Sequence, residues 1–358
     1  MKALAYTVID HFAVSGDVQH ISSFGSGHIH DTFLVETASK KYLLQKINTH
    51  VFKNVSELMS NIVRVTEHLN RKLNRQPEQK PLKLITTRKN KLYYTGIKND
   101  HWRLYEFIDN SASFDLPPDT DKAFEGGRAF GNFISYLSDL PGGRLYQTIA
   151  NFHNMHYRLG QFNTALVGND KDRLAESSNE IKFVHKHAAS LVRFYDLYRK
   201  GLIPERITHN DTKFNNILFN QEGRALCVVD LDTVMPGSLH FDFGDAVRII
   251  GNSAAEDEPD LTRIGVNMEM YQAFTRGFLM PLKSLLTGKE KETLALAPLY
   301  MTFIMGLRFL TDYLTGDKYY KIAYPQHNWY RACAQFQLFR CMVYKEKEMR
   351  KIISESLK

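Results

Sequence analysis

Two aspartates and an asparagine in the second half of the chain have the types and the spacing that phosphoryl transfer requires. The segment HNDTKFNNILF, at residues 209–219, carries an aspartate five residues before an asparagine and leads into an apolar run. A second apolar run ends at Asp230. Phosphoryl transfer needs a carboxylate that orients the attacking hydroxyl and accepts its proton, and oxygen ligands for magnesium at the phosphates. We therefore predict Asp211 as the catalytic carboxylate, with Asn216 and Asp230 as magnesium ligands.

The bulk composition limits what else the chain can be. Its 358 residues suffice for about two domains, and 43% hydrophobic with 24% charged residues fits a soluble globular protein. The net charge of +7 comes from scattered basic residues, which suits an anionic nucleotide better than a nucleic acid. Three cysteines without metal or disulfide spacing, and an N-terminus without an apolar core, favour a cytoplasmic protein without a signal peptide. The longest charge-free apolar stretch, residues 293–307, is shorter than the ~18 residues of a membrane-spanning helix, so we expect no membrane partner.

The elements that must position the site change in character along the chain. Short β-like runs at 18–24, 32–35, 42–47, 82–87, 92–95 and 102–108 surround one helix, which begins after a possible Asn54 cap. After residue 117 long amphipathic helices are predicted at 122–140 and 180–200, with a β-rich segment at 207–234. We predict an α+β, bilobal, protein-kinase-like fold. A small antiparallel β N-lobe with one helix would occupy residues 1–110, and a larger, mainly helical C-lobe residues 111–358.

The catalytic segment resembles the HxD…N motif of the aminoglycoside phosphotransferase and choline kinase superfamily. More narrowly, HNDTKFNNILF, DLDTVMPG and DFGDAVR resemble the bacterial N-acetylhexosamine 1-kinases. This resemblance implies transfer of the γ-phosphoryl group of ATP, with Mg²⁺, to the anomeric hydroxyl of N-acetylglucosamine or N-acetylgalactosamine. Asn210 departs from the superfamily pattern, in which glycine is frequent. The alternatives are a kinase of another small alcohol (an aminoglycoside, choline, homoserine or methylthioribose) and a non-catalytic nucleotide-binding relative.

The resemblance also assigns nucleotide-binding residues, each of which has a simpler structural interpretation. The loop Gly25-Ser26-Gly27 would cover the phosphates, or it is a hairpin turn. Lys46 would pair with the phosphates and with Glu57, or with Glu67 as a second choice; these could instead be an exposed strand lysine and solvated helix residues. The segment 105–108 resembles the hinge that binds adenine through backbone groups of two residues, Glu106 and Ile108.

Further residues are candidates for binding the acceptor or for supporting the site. His28, His30 and Asp31 follow the glycine loop in the subgroup-like string GSGHIHDTF. Arg308, in an apolar helical run, needs a partner, either Asp312 one turn later or a sugar oxygen. Asp232 would join a second magnesium ion or cap the following turn. Lys213 is a candidate catalytic residue beside Asp211, and three residues are expected to support the loop: His209, Asp242 and Asp245.

Overall fold

The computed structural model describes residues 2–25, 29–73, 79–167 and 171–358. The chain divides into two compact units, each built from three segments. Unit 1 comprises Met1–Ser113, Tyr136–Ala150 and Asn216–Pro236, and unit 2 comprises Phe114–Ser135, Asn151–Asn215 and Gly237–Lys358. The first change of unit falls close to the predicted boundary at residue 110, but two later segments return to unit 1. The contiguous lobes therefore stay a prediction, while the compact units are discontinuous in sequence.

Unit 1 is built on an antiparallel sheet in the order β1-β2-β3-β6-β4, with β5 also paired to β6. Buried residues alternate along β2 and β3, so the apolar side chains collect on one face. Phe33, Leu44 and Trp102 lie on this face and pack with the helix α1 (Lys2–Ile9), which the sequence interpretation did not predict. The strands are β1 (Val18–Ser23), β2 (Asp31–Thr37), β3 (Lys41–Ile47), β4 (Leu84–Ile85), β5 (Tyr94–Thr95) and β6 (His101–Glu106).

The predicted helix of the N-terminal region is confirmed as α2 (Val55–Leu73). Asn54 caps it, since its Oδ1 accepts a hydrogen bond from the Glu57 backbone N–H at 3.2 Å. Unit 1 also contains the hairpin of β8 (Ile217–Phe219) and β9 (Ala225–Val228), which follows a short 3₁₀ helix, Phe214–Asn216. A second 3₁₀ helix, Leu231–Thr233, comes after the hairpin.

Unit 2 is mainly helical. Its central helix, α7, is buried on nearly every side and packs on α10. Gly244 permits this close approach, because a Cβ there would lie 2.3 Å from the Ala297 carbonyl oxygen. The remaining elements of the chain are α3 (Thr120–Leu137), α4 (Met155–Ala165), α5 (Lys171–Glu176), α6 (Ser178–Arg199), β7 (Arg206–Thr208), β10 (Met235–Gly237), α7 (Leu239–Ile250), α8 (Met268–Leu279), α9 (Gly288–Thr293), α10 (Ala297–Leu314) and α11 (His327–Ser356).

The predicted fold class is confirmed: an antiparallel sheet forms the N-terminal region, and the C-terminal part is mainly helical. Among the described residues, one helical stretch, Gly288–Leu314, is long and apolar enough to cross a membrane. Because 83% of its most apolar window is buried inside the protein, it also meets the description of a core helix.

Candidate active site

The loop that carries Asp211 is held by a buried carboxylate from the first turn of α7. Asp242 accepts hydrogen bonds from the backbone N–H groups of His209 at 2.8 Å and Asn210 at 2.7 Å. Its carbonyl oxygen accepts another from the Thr212 hydroxyl at 2.7 Å. Burial raises the pKa of the Asp242 carboxyl to about 6. One residue thus fixes the backbone on both sides of Asp211, as the predicted supporting role requires.

Asn210 has a backbone conformation that explains why glycine is common at this position in the superfamily. Its φ is +64°, in the left-handed region that asparagine adopts more readily than most residues with a side chain. The Nδ2 group donates to the Thr208 carbonyl oxygen at 3.1 Å. Gly237 makes room for this side chain, because a Cβ there would lie 2.8 Å from Asn210 Oδ1.

His153 holds the next peptide of the loop, between Asn210 and Asp211, and the sequence interpretation did not single it out. Its Nε2 lies 3.0 Å from the Asn210 carbonyl oxygen, so Nε2 carries the proton and donates it. The ring is buried, and burial lowers the pKa of His153 to about 4, which keeps it neutral at neutral pH. The Tyr300 hydroxyl donates to the His153 carbonyl oxygen at 2.6 Å, which anchors His153 to α10. The two peptide groups that flank the Asn210 Cα atom are therefore both fixed, one through its N–H and the other through its carbonyl group.

Asp211 keeps 20% of its side chain exposed at the centre of this fixed loop. Lys213, predicted as a candidate catalytic residue, lies beside it, with Nζ 3.2 Å from each carboxylate oxygen. The pair gives unit 2 an accessible carboxylate with an adjacent cation, on a backbone that has little freedom to move.

Asp245 is placed differently from the prediction. Its Oδ1 accepts from Nε and Nη2 of Arg248 at 3.1 and 2.9 Å, within the same helix, and Arg248 also contacts Glu256 at 2.8 Å. The carboxylate is thus engaged one turn along α7, and its hydrogen bonds do not reach the loop at 209–213. Among the described residues, Asp242 forms hydrogen bonds with the loop and Asp245 does not, so a supporting role for Asp245 stays a prediction.

The two predicted magnesium ligands in unit 1 lie at one end of the β8–β9 hairpin. Asn216 directly precedes β8, and its carbonyl oxygen accepts from the Val229 N–H at 2.9 Å, one residue before Asp230. Asp230 is exposed and has φ +58° and ψ +60°, in the left-handed region. Within the described part of the chain, no three His, Cys, Asp or Glu residues cluster as a metal site. One carboxylate and one amide oxygen nevertheless fit magnesium in a kinase, where phosphates and water supply the other ligands.

Asp232 does not join this pair. Its carboxylate forms a two-point ion pair with Arg103 of β6: Nη1 contacts Oδ1, and Nη2 lies 2.6 Å from Oδ2. His30 Nε2 lies 3.0 Å from Oδ2 as well. Burial opposes ionisation, but the Arg103 guanidinium holds the pKa of Asp232 well below its usual range. The Asp232 carboxylate is thus engaged by Arg103 and His30, and its roles at a second magnesium ion or as a cap of the following turn stay predictions.

The structure places Lys46 on the opposite face of the sheet from Asp232. Lys46 pairs in register with Trp102, and its Nζ lies 6.0 Å from that ring, on the face that packs against α1. Among the described residues, neither Glu57 nor Glu67 forms an ion pair with it; Glu57 is half-buried and Glu67 exposed. The described residues thus do not form the predicted lysine–glutamate pair, because Lys46 points to the sheet face that packs against α1; its contact with the phosphates stays a prediction.

The remaining nucleotide-binding predictions stay predictions. Gly25 has φ +75° and ends the described part of the glycine loop, whereas Ser26, Gly27 and His28 lie outside the described residues. At the predicted hinge, the Glu106 N–H donates to the Lys83 carbonyl oxygen at 2.9 Å, and the Ile108 carbonyl oxygen accepts from the Ser111 hydroxyl at 2.7 Å.

The Glu106 side chain contacts Lys40 and Lys83 at 2.9 Å each. Burial acts to raise the pKa of Glu106, but these hydrogen bonds hold it below its usual value.

Arg308 of α10 lacks the partner that its sequence context suggested. Asp312 instead accepts from three backbone N–H groups, at 3.0, 2.8 and 2.9 Å, after the end of its helix: those of Lys318, Tyr319 and Tyr320. The Arg308 guanidinium lies over three aromatic rings, at 5.4, 5.9 and 5.6 Å from their centroids: Phe152, Tyr319 and Tyr320. It is half-buried and forms no ion pair with a described carboxylate. Asp31, the other acceptor-site candidate, is exposed on β2 opposite Lys46.

A second arginine adds positive charge near Arg308. Arg158 donates to the Gln161 side chain at 2.9 Å and to the Phe152 carbonyl oxygen at 3.0 Å. Burial, together with the nearby Arg308, lowers the pKa of Arg158 to about 10. Within the described ranges, Arg158 Nε and the Tyr320 hydroxyl are buried without a hydrogen-bond partner. We refer to Arg158, Arg308, Tyr319 and Tyr320 as the arginine–tyrosine cluster.

A family model described as the phosphotransferase enzyme family matches residues 20–276, which is more than half of the chain. The chain belongs to the phosphotransferase enzyme family. This phosphotransferase is also similar to solved structures at low sequence identity. A microcompartment-associated aminopropanol kinase is 14% identical, with 97% of this chain and 98% of that chain covered and a TM-score of 0.65.

Two further solved structures share the fold of this phosphotransferase. An aminoglycoside phosphotransferase from Alicyclobacillus acidocaldarius is 12% identical over 98% of this chain and 96% of its own, with a TM-score of 0.61. The choline kinase LicA from Streptococcus pneumoniae is 11% identical over 90% of this chain and 94% of its own, with a TM-score of 0.51.

The sequence interpretation missed residues that bind predicted site residues within each unit of this phosphotransferase: Arg103 and Gln45 in unit 1, and His153 in unit 2. Arg103 stands in the strand HWRLYE between residues that become buried, and a buried arginine requires a partner. The same argument that drew attention to Arg308 would have identified it. His153 and Gln45 carry no such signal, because a histidine near a helix start and a glutamine in a strand are ordinary.

Proposed function

We propose that the chain is an ATP-dependent kinase that phosphorylates the anomeric hydroxyl of an N-acetylhexosamine. The observation that carries the proposal is the Asp211 loop: an accessible carboxylate on a backbone fixed by Asp242 and His153. A carboxylate held in this way can orient a hydroxyl and accept its proton as the hydroxyl oxygen attacks phosphorus. Lys213, beside it, would stabilise negative charge that develops during transfer.

Magnesium is the cofactor that this proposal implies. Asn216 and Asp230, at one end of the hairpin, would hold it. Bound there, the ion would neutralise charge on the phosphates. Asp232 is left out of the metal set, because Arg103 and His30 occupy its carboxylate.

The charge of the arginine–tyrosine cluster supports an uncharged acceptor. The similar structures are named for aminopropanol, choline and aminoglycoside kinases, whose acceptors are cationic at neutral pH. A cation next to Arg158 and Arg308 would be repelled. Arg308 can instead donate hydrogen bonds to hydroxyl or acetamide oxygens, and the exposed Tyr319 ring offers an apolar surface for a sugar ring. The motif resemblance to N-acetylhexosamine 1-kinases points in the same direction.

Substitution of Asp211 tests the catalytic role. Asp211→Asn should keep the melting temperature and ATP affinity of the wild type but lower kcat by roughly 10²–10⁴-fold, since it removes the group that accepts the proton. Asp115→Asn is a control: this exposed aspartate of unit 2 binds Asn215 at 3.0 Å but is not among the candidate catalytic residues. A kcat for Asp211→Asn close to that of the control would refute the assignment.

An acceptor panel tests the substrate. N-acetylglucosamine and N-acetylgalactosamine should be phosphorylated, and choline, ethanolamine and aminoglycosides should not. Methyl N-acetylglucosaminide, in which the anomeric oxygen is capped, should inhibit competitively without reacting. Phosphorylation of this glycoside at the rate of the free sugar would confirm a kinase activity but exclude the anomeric hydroxyl as the acceptor. Transfer to choline alone would make the chain an amino-alcohol kinase.

A further inference from the structure

A positively charged side chain faces residues 230–232, which we call the DLD segment. It comes from a different strand than the lysine of a typical protein kinase. Protein kinases place a lysine on the third strand and pair it with a helix glutamate. Here the corresponding face of β3 presents Gln45, whereas Lys46 points to the α1 side of the sheet. Gln45 pairs in register with Arg103 of β6, so the two side chains share one face. The positive charge on this face therefore comes from Arg103.

Arg103 is held in a single orientation by hydrogen bonds on both sides. Its Nε donates to Gln45 Oε1 at 3.0 Å, and Gln45 Nε2 in turn donates to the Thr32 hydroxyl at 3.1 Å. Its two Nη atoms bind the two oxygens of Asp232, and both side chains are only 2% exposed. A forked guanidinium matched to a carboxylate fixes direction as well as distance.

His30 adds a third fixed donor to Asp232. The Asn48 backbone N–H donates to His30 Nδ1 at 3.1 Å, so Nδ1 is unprotonated and the proton resides on Nε2. Nε2 then donates to Asp232 Oδ2 at 3.0 Å. β6 and the turn before β2 thus each supply donors to one carboxylate, while Thr32 of β2 and Gln45 of β3 hold Arg103 in place. We refer to His30, Gln45, Arg103 and Asp232 as the Asp232 network.

The network lies two residues from the predicted magnesium ligand. Asp230 is exposed and left-handed, and the chain becomes buried directly after it, beginning with Leu231. The left-handed conformation costs a residue with a side chain some free energy, so contacts that fix the following residues help to keep Asp230 in it. Among the side chains of the short 3₁₀ helix that follows, Asp232 provides the charged link to the sheet.

We propose that Arg103 is a positioning residue: through Asp232 it holds Asp230 in the orientation that magnesium binding requires. The inference rests on the proposed kinase function. A purely structural ion pair between Arg103 and Asp232 would affect folding only. The proposed role predicts that breaking the pair also changes the magnesium requirement of the reaction.

The decisive variant is Arg103→Met combined with Asp232→Leu. Replacing a buried ion pair by apolar side chains is often neutral for folding, so this protein should melt near the wild-type temperature. Loss of positioning should lower kcat by about 100-fold and raise the magnesium concentration for half-maximal activity, since small misplacements in an active site have effects of that order. Arg103→Lys, which keeps the charge but not the fork, should show the same shift in magnesium requirement to a smaller extent.

Two further variants complete the test. Arg64→Met is the matched control, because it removes another unit 1 arginine, one that donates to the Pro141 and Gly143 carbonyl oxygens at 3.0 and 2.6 Å. Lys46→Met tests the rival assignment, in which Lys46 of β3 and not Arg103 supports magnesium binding. The inference is wrong if the double variant folds with the kcat and magnesium requirement of the Arg64→Met control. It is equally wrong if the magnesium requirement rises in Lys46→Met and not in the Arg103 variants.

Two other results are also decisive. If the double variant does not fold, Arg103→Lys decides, and wild-type kinetics for it would overturn the inference. If the wild type phosphorylates no acceptor, the proposed function fails, and the network is then tested by nucleotide binding. In that case, the rise in melting temperature that magnesium with ATP gives over ATP alone should be present in the wild type and lost in the double variant; an equal rise in both overturns it.

Discussion

Two buried aspartates, Asp242 in unit 2 and Asp232 in unit 1, are stabilised in opposite ways. Asp242 accepts hydrogen bonds from two backbone N–H groups, and burial raises its pKa to about 6. Asp232 binds a guanidinium and an imidazole N–H, and Arg103 keeps its pKa well below the usual range in spite of burial. Removing a carboxylate from water is costly in both places, and each site offsets the cost with a different kind of partner.

The difference indicates what each carboxylate is for. Backbone donors fix a loop conformation without adding a charge, and Asp242 accordingly determines the shape of the peptides around Asp211. A forked ion pair adds direction and depends strongly on its partner, which suits a link between a sheet and a short turn. One region thus provides a rigid support in which neutral backbone donors bind the carboxylate, and the other a directional link between opposite charges.

The most direct way to break this comparison is to neutralise each aspartate. Asp232→Asn should lower the free energy of unfolding by about 3–5 kcal/mol, because it leaves Arg103 buried without a countercharge. Asp242→Asn should cost about 1–3 kcal/mol, since the new amide still accepts one hydrogen bond but faces the other N–H with a donor. Urea unfolding of both variants at neutral pH measures the difference. Equal decreases in the free energy of unfolding would mean that the ion pair contributes no more to stability than the backbone hydrogen bonds of Asp242.

The pH dependence of stability sharpens the comparison, because the support of the Asp211 loop includes a neutral histidine. The folded-state pKa of His153 is about 4, below the ordinary value of 6.5. The unfolded chain therefore binds more protons between these values, and the contribution of His153 to stability, complete above about pH 6.5, is lost as the pH falls toward 4. A shift of this size corresponds to about 3 kcal/mol.

The variant His153→Gln isolates this contribution. Glutamine keeps an N–H near the position of Nε2 but does not titrate, so the stability difference between wild type and variant should shrink as the pH falls from about 6.5 to 4. The comparison is made between variants because Asp242, with its raised pKa, contributes in the opposite sense: its stabilisation is lost as the pH rises through about 6. A difference that does not change with pH would show that His153 is not buried in the neutral form.

The part of this comparison that the sequence predicts depends on how far apart in the chain the contacting residues lie. Local signals were reliable: the Asn54 cap is present, and the spacing of Asp211, Asn216 and Asp230 matches a loop followed by a hairpin. The motif DFGDAVR predicts Asp242 and Asp245 as support for the loop, and Asp242 forms hydrogen bonds with it. The sign of the Asp242 pKa shift could not be predicted, because it depends on burial by helices that are distant in sequence.

Three arrangements depend on features that a single sequence does not show: the face of β3 that Lys46 occupies, the partner of Asp232 and the partners of Asp312. The run YLLQKI has apolar residues on both faces, so its pattern could not tell which of Gln45 and Lys46 faces the DLD segment. The partner of Asp232 is 129 residues away in the chain, on another strand. Asp312 does not pair with Arg308, because the chain turns back after α10 and three backbone N–H groups donate to the Asp312 carboxylate instead.

The smallest expected effect concerns Asn210, where the loop support meets the backbone. Its left-handed conformation penalises alanine by roughly 1–2 kcal/mol, whereas glycine adopts it without strain. Both substitutions lose the hydrogen bond to Thr208, so this loss cancels when the two variants are compared with each other. Asn210→Ala should therefore be less stable than Asn210→Gly by about 1 kcal/mol in urea unfolding.

Asn90, an exposed asparagine with φ +55°, provides the reference pair of Ala and Gly variants for the same backbone conformation. If the Asn210 pair differs no more than the Asn90 pair, the backbone penalty explains the whole effect. If Asn210→Ala and Asn210→Gly are equally stable, the loop relaxes out of the left-handed conformation, and Asp242 and His153 do not hold this peptide as rigidly as their hydrogen bonds imply.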